Sequence, residues 1–189
     1  MSGFKKGLFL FLALLLPVIV FVFLKLFGKN EFEVKPLFQD AISVPTCQAY
    51  LYKAPYSIPD SILRKLGRNN GDSIMLIVFD DKVREKRHVK FSQIQRIQES
   101  FPTEKLAIRS IIEIGELRWL ASLPRPINIY ELPYDELITT RNCIFLLPGP
   151  ADAVLVDAQN RIVGQYDLDD LDDGDRLVVH ELNILFNRY

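Results

Sequence analysis

Ala151–Asp167 reads ADAVLVDAQNRIVGQYD. Ala153 to Val156 is a short apolar run of the kind a buried strand needs, and Asp157-Ala158-Gln159-Asn160 carries turn chemistry. Arg161 to Tyr166 resumes the strand pattern, with Ile162 and Val163 leading and Gly164 inside it. Two short apolar runs divided by Asp and Asn predict a β-hairpin. An amphipathic helix follows from about Asp175 to Tyr189.

Upstream, strand and helix patterns alternate. Ser73 to Phe79, SIMLIVF, is a continuous apolar run, as a central strand covered on both faces requires. Phe91, Ile94, Ile97 and Phe101 recur at spacings of three and four, which predicts a helix that Pro102 ends. Leu106 to Ile112 is a second strand, Glu116 to Leu123 a short helix with the lone Trp119, Ile127 to Tyr130 a third strand, and Pro133 to about Phe145 a helix. Before them, Ser57 to Gly67 is a short helix with Pro59 in its first turn. Glu31 to Pro55 is an extended lead-in with three prolines, several aromatics and one strand at Gln48–Tyr52. Alternation at this spacing predicts an α/β sheet with parallel strands, ended by the antiparallel hairpin and its helix. The fold class expected is a thioredoxin-like central sheet with flanking helices, preceded by one transmembrane helix. The domain boundaries are 1–30, 31–70 and 71–189.

Leu8 to Leu24 is seventeen residues without a charge, and through Lys25 to Phe27 the segment reaches the length of a membrane span. It exits into KLFGKNEFEVK without a small-x-small cleavage site, so an uncleaved anchor is expected rather than a signal peptide. Lys5 and Lys6 precede the span and Lys25, Lys29 and Lys35 follow it, so the positive-inside rule nearly ties. The short N-terminal tail favours a single-pass protein of the cytoplasmic membrane with its domain on the extracytoplasmic side.

The formal net charge of −1 gives no reason to expect nucleic-acid binding. Cys47 and Cys143 are the two cysteines, and no CxxC or CxxxC occurs. Each reads equally well as a small buried apolar side chain or as half of one disulfide in an oxidising compartment. With two histidines and no cysteine pair, a structural zinc site lacks ligands. Asp167, Asp169, Asp170, Asp172, Asp173 and Asp175 fit no calcium-loop register, and are read as capping the final helix or facing water. His88, among Arg84, Lys86, Arg87 and Lys90, reads as a residue of a solvated basic loop. His180 reads as a surface or boundary residue. Sequence motifs of serine hydrolases, P-loop proteins, dinucleotide-binding folds and zinc proteases are absent.

VLVDAQNRIVGQYD, the acidic turn after it and DRLVVHELNILFNRY resemble the C-terminal end of the Sco/SenC proteins. The resemblance extends to the anchor, to SIMLIVF and to IQRIQESF, with little agreement between Pro102 and Leu146. It implies a thioredoxin fold on a membrane anchor, in proteins that bind copper and help to build the copper site of cytochrome oxidase. The family binds the metal through a CxxxC after the first strand and a His before the hairpin. Those positions fall near Val83, Arg87 and Gly149 here, so none of the three ligand types is present. Pro150 lies where thioredoxin-like folds place a cis-proline. The function expected is therefore a membrane-anchored, redox-inactive binding or assembly module without cofactor or metal. Its partner would be a protein in the membrane or periplasm, in the setting of oxidase biogenesis. The alternatives are a single-cysteine thiol oxidoreductase using Cys47 or Cys143, and a structural membrane protein.

Overall fold

The computed structural model describes residues 15–22, 34–47, 50, 52–68, 74–80, 87–101, 106–115, 127–147 and 149–186. The chain divides into two compact units, Met1–Glu33 and Val34–Tyr189. In the first, residues 15–22 are helical with exposed apolar side chains, Leu16, Val18 and Phe21 among them. No helix of the described residues is long and apolar enough to cross a membrane. Most of the span expected at Leu8 to Phe27 lies outside them.

The second unit is built on β1 (Ile74–Asp80), whose seven side chains are all buried. Met75, Ile77 and Phe79 point to one face of the sheet, and Ile74, Leu76 and Val78 to the other. This is why the strand reads as an unbroken apolar run: each face has its own helical cover. α1 (Asp60–Lys65) and α3 (Tyr134–Thr139), with the π-helical turn Thr140–Ile144, supply Leu63, Leu137 and Ile144 to the first face. α2 (Arg87–Ser100) supplies Ile94 and Ile97 to the second. Beside them lie Leu177, Val178, Leu182 and Leu185 from the C-terminal helical run, α4 (Leu171–Asp175), a π-helical stretch Arg176–Leu182 and α5 (Asn183–Phe186). Ile94 and Ile97 are fully buried, and burial stabilises by roughly 1.5–3 kcal/mol for each.

β2 (Leu106–Glu113) and β3 (Asn128–Leu132) run parallel to β1, and β4 (Ala153–Val156) and β5 (Ile162–Tyr166) form an antiparallel hairpin beside it. The order is β3-β2-β1-β4-β5. A parallel β-α-β half and an antiparallel β-β-α half on one sheet make the thioredoxin-like layout that the alternating pattern predicts. The expected helix Glu116–Leu123 lies outside the described residues. The strand expected at Gln48–Tyr52 lies partly outside them, and the chain at Tyr50 and Tyr52 is not a strand.

The hairpin turn works as its residues suggest. Asp157 is buried, and its Oδ1 accepts from the backbone N–H of Gln159 and Arg161, both at 2.9 Å. This lets Asn160 take a φ of +65°, which Asn tolerates better than most residues. The lead-in packs through backbone bonds from Leu37 N to Ile162 O and from Ile58 N to Asn160 O. The hydroxyls of Tyr52 and Tyr56 donate to the carbonyls of Cys143 and Ile144, at 2.9 and 2.6 Å. Those carbonyls lie in the closing turn of a helix, where no intrahelical donor remains.

Candidate functional site

Because β1 and β4 are antiparallel neighbours, the end of β1 and the start of β4 lie side by side. Phe79 N donates to Asp152 O at 2.7 Å across this end. The first turn of α2 reaches the same place with Lys90. Its side chain is 1% exposed, and its Nζ lies 2.6 Å from Asp152 Oδ2, 3.8 Å from Asp80 Oδ1 and 3.2 Å from the carbonyl of Phe79, to which it donates. Asp80 and Asp152 are buried as well. The other oxygen of Asp152 accepts from Leu168 N at 2.8 Å, so the loop between β5 and α4 joins the cluster.

Burial alone would lower the pKa of the Lys90 ammonium. The charge and hydrogen bond of Asp152, helped by Asp80 and Asp169, outweigh that and raise it. Lys90 is therefore a fixed buried cation, not a neutral amine available as a nucleophile. Carboxylate oxygens of Asp152, Asp167 and Asp169 lie within 4.8 Å of one another. The ammonium on Asp152 supplies positive charge beside this group, which disfavours a metal ion there. Asp170 caps α4 by accepting from Asp172 N at 3.0 Å, and Asp173 accepts from Asp167 N, which accounts for part of the acidic run.

Of the positions where the resemblance puts ligands, Val83 lies outside the described residues. Arg87 opens α2 by its backbone, and Gly149 is exposed with a φ of +45°. The expectation for Pro150 is corrected: the cis X–Pro bond among the described residues is Ala54–Pro55. The reversal before β4 is made instead by Gly149 in the left-handed region. The Arg141 guanidinium holds it, with Nη2 donating to the carbonyls of Gly149 at 2.7 Å and Ala151 at 2.6 Å. Lys90, expected in a basic loop or first helical turn facing water, does lie in the first turn of the helix, but its solvated placement is corrected to a core position. Lys90, Ile94, Ile97 and Phe101 follow one helical stripe, and this spacing is the signal in the sequence that places the lysine inward. Asp80 and Asp152 each abut an apolar run, a weaker signal of the same kind.

Cys47 and Cys143 form a disulfide, with Cα atoms 5.5 Å apart and both side chains buried. It ties the 3-10 turn Pro45–Cys47 of the lead-in to the π-helical turn after α3. These elements cover the first face of the sheet, whereas α2 and Lys90 belong to the second.

No family model matches the sequence, and no curated protein matches it either. Among solved structures, the chain is similar to the thioredoxin domain of a thiol-disulfide oxidoreductase from Bacteroides vulgatus, at 16% identity and a TM-score of 0.43, over 58% of this chain and 81% of that one. A thiol:disulfide interchange protein from a Bacteroides species is similar at 14% identity and a TM-score of 0.41, over 58% of this chain and 76% of that one. The fold assignment rests on strand order and direction rather than on these overlaps.

Proposed function

We propose that the chain is a redox-inactive thioredoxin-like binding module, held at a membrane by Leu8 to Phe27 with its domain on the extracytoplasmic side. The observation that carries this reading is the Cys47–Cys143 disulfide. It occupies both thiols of the chain, is buried, and belongs to the face away from α2. Thiol exchange needs an exposed thiolate of lowered pKa, and Cu(I) binding needs soft sulfur ligands; a buried structural disulfide offers neither. At the end of β1 and the start of α2, where the Sco/SenC proteins keep their metal loop, this chain has the Lys90–Asp152–Asp80 cluster. The disulfide also favours an oxidising compartment. By the resemblance to Sco/SenC proteins, the partner is a protein of the membrane or periplasm and the setting is assembly of a respiratory oxidase.

The test is a Cu(I) titration of the full-length protein in detergent, together with an insulin-reduction assay. The reading expects no stoichiometric tight copper site and no turnover above the uncatalysed rate. Tight binding of one Cu(I), or turnover abolished by Cys143→Ala, overturns it.

A further inference from the structure

Among the described residues β3 is the last strand of the sheet and pairs with β2 alone. Leu132 O accepts from Ile114 N at 3.1 Å, so the peptide groups of Leu132 face β2. By strand alternation those of Tyr130 and Asn128 do too, while those of Ile129 and Glu131 point off the edge. Edge strands are commonly blunted by proline, lysine or a bulge. β3 has neither residue, and its register with β2 is unbroken. Ile129, Tyr130 and Leu132 remain only half-buried.

Next to this edge, between α1, β3 and α3, lies a cavity of about 300 Å³. Leu66, Ile111, Tyr130 and Ile144 make its apolar wall, and Lys65 and Glu136 stand at its exposed rim. The surface beside it is acidic. Asn128 to Thr140 contains Glu131, Asp135 and Glu136, all exposed, and no lysine or arginine. Among the described residues no cation pairs with Asp135 or Glu136. Both stand in the first turn of α3, where the helix dipole favours them. Glu131 accepts from the Gly115 N–H at 3.4 Å and remains exposed, and the exposed Glu113 lies at the end of β2 beside it.

We propose that β3 is a docking edge for an extended peptide of a partner protein. The peptide adds as a sixth strand on the outward groups of Ile129 and Glu131 and sets one apolar side chain into the cavity. It brings lysine or arginine against Glu131, Asp135 and Glu136. Backbone pairing gives such a site its affinity, and the cavity and charges select the sequence. The inference builds on the binding-module reading above and gives that module a partner chemistry.

The test pans a random heptapeptide display library against the full-length chain in detergent micelles. An enriched peptide, labelled with a fluorophore, is then titrated by anisotropy against three proteins: the natural chain, Ile129→Pro and Glu136→Lys. Ile129→Pro removes an outward N–H without touching the β2–β3 ladder, and Glu136→Lys reverses an exposed charge. The proposal expects sequences alternating apolar residues with lysine or arginine. It expects at least tenfold weaker binding to Ile129→Pro, and severalfold weaker, less salt-sensitive binding to Glu136→Lys. No enrichment, enrichment of acidic peptides, or binding unmoved by both variants overturns it. None of those outcomes bears on the redox-inactive reading, which thiol exchange and copper binding test separately.

Discussion

Lys90 Nζ lies 2.6 Å from Asp152 Oδ2 with both side chains buried, and the contact joins the first turn of α2 to the residue before β4. Because Asp80 and the Leu168 N–H are drawn into it, four segments of the chain meet on one buried charge cluster. A cluster of this kind is costly to break from one side, since the remaining charge keeps its desolvation penalty and loses its partner.

Lys90→Met should therefore destabilise the domain by about 3–5 kcal/mol, because it removes the ammonium that Asp152 and Asp80 face in the core. Urea unfolding followed by circular dichroism measures it. Adding Asp152→Asn, which keeps an acceptor for Leu168 N, should recover part of the loss. A Lys90→Met protein within 1 kcal/mol of the natural one would show that the cluster contributes little.

Glu181 gives a pH dependence of predictable sign. Burial raises its carboxyl from the ordinary 4.5 to about 7, against the Tyr166 hydroxyl that donates to it and the Arg176 guanidinium at 3.7 Å. Between these values the folded chain holds more protons than the unfolded one, so stability falls as pH rises from about 4.5 towards 7 and this contribution levels off above. Glu181→Gln should flatten that part of the profile in thermal melts taken across the range.

Removing the disulfide by Cys47→Ala with Cys143→Ala should cost about 2–4 kcal/mol, since the bond closes a loop of 96 residues in the unfolded chain. The loss should appear as a lower urea midpoint. The lead-in should keep its place, because Leu37 N, Ile58 N and the two tyrosine hydroxyls hold it independently.

Gly164→Ala is expected to destabilise although alanine suits a strand better than glycine. A Cβ at 164 would meet the hydroxyl end of Tyr166 and the Glu181 carboxylate, and Tyr166 is fully buried. Such overpacking costs about 1–3 kcal/mol, again readable by urea unfolding. A neutral or stabilising result would mean that the tyrosine has room to move.

The strands were legible because burial writes itself into composition. Ser73 to Phe79 has no polar residue after its first, and Ala153–Val156 and Ile162–Tyr166 flank an Asp/Asn turn. α2 was legible from the spacing of Ile94 and Ile97. The buried charge cluster was not, because its members come from distant parts of the chain and a basic run such as Lys82 to Lys90 usually faces water. The π-helical turns also escaped the sequence, since a one-residue widening of a helix leaves no composition signal. The bonding of Cys47 to Cys143 lay beyond what two widely separated cysteines can decide by themselves.

The most direct measurement of the redox-inactive reading is the mass of the full-length native protein after alkylation, with and without prior exposure to reduced glutathione. The account predicts no alkylated cysteine in either sample, and two only after unfolding in a strong reductant. Rapid alkylation of Cys47 or Cys143 in the folded protein after glutathione treatment would contradict it.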